Sequence, residues 1–371
     1  MKNKEFIPVS KPVFIGNEKI YVNNCLDSTW ISSNGEYIER LERKFAEYIG
    51  IKHAIACSNG TAALHLALLA IGIGRGDEVI VPALTFVATA NAVEYTGAKP
   101  VFADCQDDTW NIDPHKVEKL ITSRTKAIVV VPLYGHPCEM DSLVKLSRKN
   151  NIYLIEDAAE AIGAIYRGRK CGSIADLSTF SFYGNKTITT GEGGMVVTNN
   201  DGLHKKVRLF KTQGMDPNRR YWFTTVGYNY RMTNIQAAIG LAQMENVDKF
   251  IEKRRQIAES YRANLFGIPG LTLPVERDDC THSYWMYSVL FENEFGADRD
   301  AAIKTLYDHG VETRPFFYPM HIMPVHKQNS HADLKLSEKI SSKGINLPTF
   351  FELKEKQIKY ISQIIRELNS K

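Results

Sequence analysis

One lysine, Lys186, is unusual because of the residue types that surround it in the sequence. The segment from residue 178 to residue 194, STFSFYGNKTITTGEGG, places it among hydroxyl, glycine and aromatic residues, with no acid before Glu192. We expect an amine that is kept from acids and partly desolvated, which lowers the pKa of a lysine and makes it a nucleophile suited to Schiff-base chemistry. The alternative is a lysine at a strand end that points into water.

A group of acids forms the second candidate. In NIYLIEDAAEAIGA, residues 151–164, Glu156, Asp157 and Glu160 lie at the carboxyl end of a buried strand. A carboxylate there could keep a heteroaromatic nitrogen protonated, because an opposite charge in a partly dry site favours the cationic form. A pyridinium held in this way is an electron sink. A single acid at this place could also simply cap a helix.

The third candidate is a helix start in CSNGTAALHLAL, residues 57–68. Ser58 or Asn59 would begin the helix and leave free N–H groups at Gly60 and Thr61, which suit a phosphate. Ordinary capping explains the same residues. The nearby GIGRG, residues 72–76, precedes a strand and is therefore not a dinucleotide fingerprint. A phosphate donor, a pyridinium partner and a Schiff-base lysine together predict pyridoxal phosphate.

Alternating strands and helices must position these residues. Strands are predicted at 53–57, 77–82, 99–104, 126–132, 151–157, 178–183 and 193–199, and helices at 61–71, 86–97, 114–121 and 140–150. The strands are nearly continuous apolar runs, as in a mostly parallel sheet with helices on both faces. The chain is therefore α/β, with Lys186 and Asp157 on neighbouring strand ends of a βαβ unit and the chemistry at the carboxyl edge.

The remainder of the chain predicts a second, smaller unit. Residues 233–265 read as one long helix without a break after Gly240, followed by a strand at 284–293, a helix at 299–310, a further strand at 311–319 and a last helix at 353–369. We expect a large α/β domain at residues 1–250, whose first 20 or so residues can pack on the small domain. Residues 251–371 would form that small α+β domain.

Composition excludes several classes of protein. Lys and Arg number 46 against 42 Asp and Glu, a net charge of +4 that is spread along the chain and predicts no nucleic-acid partner. No apolar stretch is long enough for a signal peptide or a membrane span, so we expect a cytoplasmic protein without a membrane partner. The cysteines are dispersed and form no metal cluster, which predicts reduced thiols: Cys25, Cys57, Cys105, Cys138, Cys171 and Cys280.

Four segments together resemble a known family. SFYGNKTITTGEGG, EDAAEA, SNGTAALHLAL and GYNYRMTN are similar to motifs of the DegT/DnrJ/EryC1/StrS sugar aminotransferases, and the resemblance covers essentially the entire chain. It implies a type I aspartate aminotransferase fold, pyridoxal 5'-phosphate as cofactor and a homodimer with shared active sites. It also implies amino transfer from L-glutamate to C4 of a nucleotide-linked 4-keto-6-deoxy sugar. The segments 212–243 and 312–324 favour a GDP-linked sugar.

The resemblance also assigns roles to single residues. Lys186 would carry the cofactor and Asp157 would pair with its ring nitrogen. The other cofactor contacts are the phosphate ligands Gly60, Thr61 and Ser181, Asn229 from the other subunit, Phe86 and Ala159 on the two ring faces, and Glu160 near the ring hydroxyl. Weaker candidates for the sugar-nucleotide pocket are Trp30, Ser32, Arg219, Arg220, Arg231, Arg314, Tyr318 and His321.

Simpler explanations remain for several of these residues. Ser181 could be a small inward strand residue, Asn229 a turn former and Phe86 a core aromatic. Arg219 and Arg220 could be solvated surface charges, although guanidinium groups suit a diphosphate. Relatives often carry His or Gln at the position of Glu160, which leaves its role open.

Three other functions compete with this one. A 3-deoxygenating dehydratase of nucleotide sugars shares the fold, but its branch replaces the lysine with His. An aminotransferase for a UDP- or dTDP-linked keto sugar, or for a 3-keto sugar, would keep the chemistry and change the substrate. A regulator that binds the cofactor without turnover is the third, although no helix-turn-helix segment accompanies this chain.

Overall fold

The computed structural model describes residues 6–329 and 333–369. The helices are α1 (Glu18–Asp27), α2 (Glu36–Ile49), α3 (Gly60–Ala70), α4 (Ala88–Tyr95), α5 (Pro114–Leu120), α6 (Met140–Lys149), α7 (Asp201–Lys211), α8 (Asn234–Met244), α9 (Val247–Leu265), α10 (Arg299–Asp308), α11 (Lys335–Lys343) and α12 (Glu355–Asn369). Short 3-10 helices span Leu133–Gly135, Met320–Ile322 and Lys327–Asn329.

The strands form three sheets. They are β1 (His53–Cys57), β2 (Glu78–Pro82), β3 (Lys99–Ala103), β4 (Thr125–Val130), β5 (Tyr153–Asp157), β6 (Ile165–Tyr166), β7 (Arg169–Lys170), β8 (Leu177–Ser181), β9 (Gly194–Thr198), β10 (Leu271–Thr272), β11 (Cys280–Thr281), β12 (Tyr287–Phe291), β13 (Arg314–Pro315) and β14 (Gly344–Leu347). The sheet orders are β1-β9-β8-β5-β4-β2-β3, β10-β12-β14-β13 and β11-β6-β7.

The seven-stranded sheet is mostly parallel, as the sequence predicts. Strands β3, β2, β4, β5 and β8 pair in parallel, and β9 runs antiparallel to both β8 and β1. Its inner strands are buried on both faces because helices cover each side. The α/β architecture of the prediction is confirmed.

The register of β5 and β8 places two candidate segments side by side. Asp157, the last residue of β5, pairs with Thr179 of the parallel strand β8. The βαβ interpretation is wrong for this pair, since the connection contains the short hairpin β6–β7 and no helix. Three glycines in this connection have a positive φ, which is incompatible with a right-handed α-helix: Gly163 at 83°, Gly168 at 76° and Gly172 at 97°. The parallel pairing nevertheless puts both strand ends at one edge.

The four-stranded sheet is antiparallel and builds a second core with α9, α10 and α12. Ile7, near the start of the described chain, bridges to Val311 and belongs to this core. The boundary near residue 250 stays a prediction. Of the first 20 residues, residues 1–5 lie outside the described range, as do residues 370 and 371 at the end.

The prediction of one long helix at residues 233–265 is wrong in one respect. It is two helices, because α8 ends at Met244 and α9 begins at Val247. Asn246 has φ −119° and ψ 11°, outside the helical region. Its side-chain amide donates to the carbonyl of Ala242, and such local bonds make asparagine a helix-end residue.

Three further findings concern the cysteines, the helices and possible metal ligands. All six cysteines are free thiols, five of them buried and Cys280 half-buried. Within residues 6–329 and 333–369, no helix combines the length and the apolar character needed to span a lipid bilayer. In the same residues, His, Cys, Asp and Glu side chains form no group of three or more that could hold a metal ion.

Candidate active site

A cavity of about 670 Å³ opens at the carboxyl edge of the seven-stranded sheet. Its wall comes from two sheets. Gly60, Asp157 and Lys186 belong to the seven-stranded sheet and its connections, while Arg314 and Asn346 come from strands β13 and β14 of the four-stranded sheet. The cavity therefore brings together the three sequence-predicted sites.

Lys186 lies in the turn that follows β8, where its N–H donates to the carbonyl of Tyr183 at 2.9 Å. Its side chain is 12% exposed, and Nζ lies 3.8 Å from the centroid of the Trp285 ring. Burial lowers the pKa of the Lys186 amine, while the charges of Glu160 and Asp157 oppose this shift. The amine is therefore suited to nucleophilic and proton-transfer chemistry.

The expectation that Lys186 is kept from acids is wrong. Oε1 of Glu160 lies 4.0 Å from Nζ of Lys186, and the Glu160 side chain is only 3% exposed. The acid comes from the segment after β5, so the local sequence around the lysine could not reveal it. Burial raises the pKa of Glu160 to about 7, and the positive charge of Lys186 acts in the opposite direction.

The backbone holds Glu160 in place from its other side. Oε2 accepts a 2.7 Å hydrogen bond from the N–H of Tyr134, whose φ of 54° is unusual for a residue with a side chain. Such strain often marks a functional site, because packing must maintain it. The N–H of Tyr134 is thereby turned toward the carboxylate.

Asp157 is buried at the end of β5. Its Oδ2 accepts a 2.8 Å hydrogen bond from the hydroxyl of Thr89, and Oδ1 accepts a 3.3 Å bond from the N–H of Ala159. Burial raises the pKa of the Asp157 carboxyl, whereas the Thr89 bond and the charge of Lys186 lower it. A cationic ring nitrogen is the kind of partner that this carboxylate would stabilise.

Glu156, the third acid of the segment, faces away from the cavity. It is fully buried, and its Oε2 accepts a 2.7 Å hydrogen bond from the N–H of Gly172. Burial raises the pKa of Glu156 to about 7. Of the three acids, Asp157 and Glu160 line the cavity.

The start of helix α3 forms an anion cradle. Asn59 is the N-cap residue, and its Oδ1 accepts a 2.8 Å hydrogen bond from the N–H of Ala62. The N–H groups of Gly60 and Thr61 precede the first intrahelical bonds and line the cavity. A Cβ at Gly60 would lie 2.8 Å from Cβ of Ser181, so only glycine allows this close approach.

A second glycine fixes this helix start against the lysine turn. A Cβ at Gly194, the first residue of β9, would lie 2.4 Å from the carbonyl oxygen of Asn59. The backbone of the cradle therefore packs directly on the strand that follows the Lys186 turn.

These groups fit pyridoxal phosphate by their chemistry. The cavity combines a buried carboxylate for a ring nitrogen, an amine for an aldehyde and an anion cradle for a phosphate. Phe86 and Ala159 also line it, and the Phe86 ring lies 5.6 Å from the Phe317 ring at an interplanar angle of 58°. All sequence-predicted cofactor residues except Asn229 thus line one space, and their individual roles stay predictions: Gly60, Thr61, Phe86, Asp157, Ala159, Glu160, Ser181 and Lys186.

Asn229 and most of the predicted sugar-nucleotide residues lie outside this cavity. Arg314 lines it, whereas the other members do not: Trp30, Ser32, Arg219, Arg220, Arg231, Tyr318 and His321. His321 is buried, and its Nε2 lies 2.8 Å from Oε1 of Glu338, so the imidazole is engaged elsewhere. Arg219 lies over the ring of Trp222 at 4.0 Å, and Arg231 donates to Oδ1 of Asn229 at 3.0 Å.

Sequence reasoning missed several residues that contact the candidate groups. Thr89 bonds to Asp157, Tyr134 bonds to Glu160, and Trp285 lies under the amine of Lys186. The Nε1–H group of Trp285 also donates to the carbonyl of Asn185, which precedes the lysine. Of these three residues, only Trp285 could have been noticed in the sequence, because YWMYSVLFEN combines a tryptophan with a strand pattern. Nothing in that segment indicates that its partner is Lys186.

Comparisons with known proteins agree with this arrangement. The model of the DegT/DnrJ/EryC1/StrS aminotransferase family matches residues 14–366. The chain is 54% identical over 353 residues to a GDP-perosamine synthase of Caulobacter vibrioides, covering 95% of each chain. It is 50% identical over 366 residues to a GDP-perosamine synthase of Escherichia coli O157:H7, covering 99% of each chain.

A solved structure agrees as well. Helicobacter pylori PseC, an aminotransferase involved in the biosynthesis of pseudoaminic acid, is 31% identical. It superposes with a TM-score of 0.93 over 99% of this chain and 100% of that chain. The expected aminotransferase architecture is confirmed by this likeness.

Proposed function

Because the chain belongs to the DegT/DnrJ/EryC1/StrS aminotransferase family, we propose that it makes GDP-perosamine. The reaction moves the amino group of L-glutamate to C4 of GDP-4-keto-6-deoxy-D-mannose and leaves 2-oxoglutarate. The chain is an aminotransferase with pyridoxal phosphate as cofactor. The choice of sugar nucleotide is supported by the two relatives named GDP-perosamine synthase, at 54% and 50% identity.

One observation carries the proposal. The amine of Lys186, the carboxylate of Asp157 and the start of helix α3 meet in a single cavity of about 670 Å³. Pyridoxal phosphate, when bound, supplies an aldehyde carbon that accepts the amino group and a ring that withdraws electrons. Asp157 would hold its ring nitrogen, and Gly60, Thr61 and Ser181 would hold its phosphate.

The proton transfers are assigned to Lys186. In the first half of the reaction, its Nζ removes the proton from the α-carbon of glutamate. In the second half, the same amine delivers a proton to C4 of the sugar, so one lysine serves both halves. Burial lowers the pKa of Lys186, so that more of the amine is free to accept a proton near neutral pH.

Asp157 and Glu160 act on this amine from the cavity wall. Both carboxylates are buried and hydrogen-bonded, Asp157 to Thr89 and Glu160 to the Tyr134 N–H. Their negative charges favour the ammonium form of Lys186 after it has taken up a proton. The pair therefore stabilises the state that follows proton abstraction.

The nucleotide end of the substrate is assigned to arginines. Arg314 reaches the cavity from β13. Arg219, Arg220 and Arg231 lie on the exposed segment between α7 and α8, outside the cavity of their own chain. In a homodimer with shared active sites, this segment would reach the cavity of the other subunit, and Asn229 would contact the phosphate there.

Exposed apolar side chains support the proposal that the chain pairs with a second copy of itself. They cluster on two segments, one around α1 and one in the loop before α8: Phe14, Ile15, Ile20, Leu26, Trp30, Ile31, Tyr221, Trp222, Phe223 and Val226. Apolar surface of this kind usually marks a protein interface. The homodimer and a cytoplasmic location both belong to the proposal.

The test is a side-by-side assay. The purified chain receives pyridoxal phosphate, L-glutamate and a GDP-, UDP- or dTDP-linked 4-keto-6-deoxy sugar, and mass spectrometry identifies the amino sugar. We expect the GDP-linked sugar to be aminated fastest. Faster amination of a UDP- or dTDP-linked sugar would overturn the choice of nucleotide, and no amination of any keto sugar would overturn the whole proposal.

A further inference from the structure

Arg254 of helix α9 is a buried cation in an unusual setting. It is only 7% exposed, and its Nη1 donates to two backbone carbonyls, those of Trp285 and Thr349, each at 2.7 Å. In the part of the chain that the structure describes, no ion pair joins Arg254 to a carboxylate, and burial alone lowers its pKa to about 10. A buried charge without a counter-ion is costly, so a compensating role is expected.

The position of Arg254 points to Lys186. Lys186 lines both the large cavity and a second cavity of about 20 Å³, and Arg254 lines only the second. This small space has room for about one water molecule, and both cations lie on its wall. Arg254 also holds the carbonyl of Trp285, whose ring lies under the Lys186 amine.

We propose that Arg254 is a positioning residue for Lys186, which fixes the Trp285 platform and whose buried charge opposes the ammonium form of the amine. The inference rests on the proposed role of Lys186 in amino transfer. A guanidinium suits this task because it keeps its proton where a buried lysine would lose it. Two positive charges in a poorly solvated region repel each other. Lys186 can relieve this repulsion by losing its proton, and its neutral amine is the nucleophilic form.

Four charged groups act on the ionisation of Lys186 and divide into two pairs. Glu160 and Asp157 favour its ammonium form, whereas Arg314 and Arg254 oppose it. Lys11, which also lines the small cavity, is 56% exposed and pairs with Glu352. Arg314 opens on the large cavity, where an anionic substrate would neutralise it. Arg254 is outside that cavity, so its effect persists throughout turnover.

The experiment measures the ionisation of Lys186 without turnover. The full-length chain is freed of pyridoxal phosphate, labelled with acetic anhydride across a pH series and digested, and mass spectrometry follows the peptide that contains Lys186. The midpoint of the labelling curve reports the pKa of the amine, and the plateau above it reports accessibility. Lys335, whose side chain is 87% exposed, is the internal standard.

Two variants separate charge from structure. Arg254→Gln and Arg254→Met remove the same charge, but only glutamine can still donate to the two carbonyls. We expect both to move the Lys186 midpoint to higher pH, so that labelling below the midpoint falls several-fold. The plateau should stay unchanged in Arg254→Gln, which can still hold the Trp285 carbonyl, and rise in Arg254→Met, which cannot. If only one variant folds, the raised midpoint carries the test alone.

A matched control uses another largely buried arginine. Arg299 is 12% exposed, donates to the carbonyl of Ser341 and pairs with Asp300. Arg299→Gln should leave the Lys186 midpoint unchanged. An unchanged midpoint in Arg254→Gln, a shift in Arg254→Met alone, or a rise of the plateau in Arg254→Gln would overturn the proposal. These results would leave amino transfer untouched, because the substrate assay tests it separately.

Discussion

The hydroxyl of Thr89 donates a 2.8 Å hydrogen bond to Oδ2 of Asp157, and both side chains are buried. This bond lowers the pKa of a carboxyl that burial alone would raise. Thr89 is thus a support for the carboxylate that we assign to the cofactor ring.

Thr89→Val should weaken binding of pyridoxal phosphate. The substitution keeps the shape but removes the donor, so Asp157 loses a bond that favours its charged form. We expect the Kd for the cofactor to rise about tenfold, which corresponds to about 1.4 kcal/mol. Thr89→Ser keeps the hydroxyl and serves as the control. Spectroscopic titration of both variants measures the effect, and wild-type affinity in Thr89→Val would contradict the assigned role of Asp157.

Lys186→Ala should abolish both the visible absorption of the reconstituted protein and amino transfer. We expect the rate to fall by at least about a thousandfold, because the substitution removes nucleophile and base together. The circular dichroism spectrum should remain that of the folded protein. In the wild type, borohydride should fix the cofactor on the tryptic peptide that contains Lys186.

The control for this substitution is Lys211→Arg. Lys211 is another buried lysine, but it pairs with Glu42 and donates to the carbonyl of Ala56 at 2.8 Å, outside the cavity. This variant should retain the absorption. An active Lys186→Ala protein, or a label on a different peptide, would refute the assignment.

Mixing two inactive subunits should restore activity if the active site is shared. A heterodimer of Lys186→Ala and Asn229→Ala subunits has one site with both residues intact and one site with neither, so about half of the wild-type activity is expected. Two affinity tags allow the heterodimer to be isolated. Inactive heterodimers of proven composition would count against catalysis across the subunit boundary.

The stability of the protein should depend on pH through Glu156. Burial raises its pKa from 4.5 to about 7, so the folded chain binds a proton that the unfolded chain has lost between these values. Stability therefore falls as the pH rises through this window. Glu156→Gln removes this fall, and its stability relative to wild type should increase by on the order of 3 kcal/mol between pH 4 and pH 8.

Glu78→Gln is the control of opposite sign. Burial acts to raise the pKa of Glu78, but hydrogen bonds from Thr122 and Arg124 overcome this and lower it. Its contribution to stability is present above its ordinary pKa and is lost as the pH falls. Urea unfolding at several pH values should show Glu78→Gln losing stability at pH 8. A flat pH profile for the difference between Glu156→Gln and wild type would contradict a raised pKa.

Much of the fold was predictable from the sequence. Continuous apolar runs marked the strands, and the rule that parallel strands end at one edge placed Lys186 near Asp157. The cradle at Gly60 followed from helix-start chemistry, and the structure selects Asn59 as the cap. These inferences succeed because each rests on interactions between residues close in sequence or on adjacent strands.

Contacts between distant segments were not predictable in this way. Thr89 and Asp157 are 68 residues apart, and Trp285 and Asn185 are 100 residues apart. No local pattern specifies such pairs, since they depend on how whole elements pack. The contact between Glu160 and Lys186 could not be predicted for the same reason. The helix break at Asn246 was missed because one short polar side chain outweighed good helix formers on both sides.

The division of the cavity wall between two sheets has an evolutionary consequence. The start of α3 packs on β9 through the backbone contact between Asn59 and Gly194, whereas Arg314 and Asn346 come from strands of the four-stranded sheet. Under the proposed substrate role of Arg314, we expect mutations in β13 and β14 to change substrate preference while Lys186 and Asp157 keep their positions at the seven-stranded sheet. Proteins that evolve from this fold can change substrate specificity and keep the same catalytic residues. Directed evolution toward new amino sugars should therefore begin on those two strands.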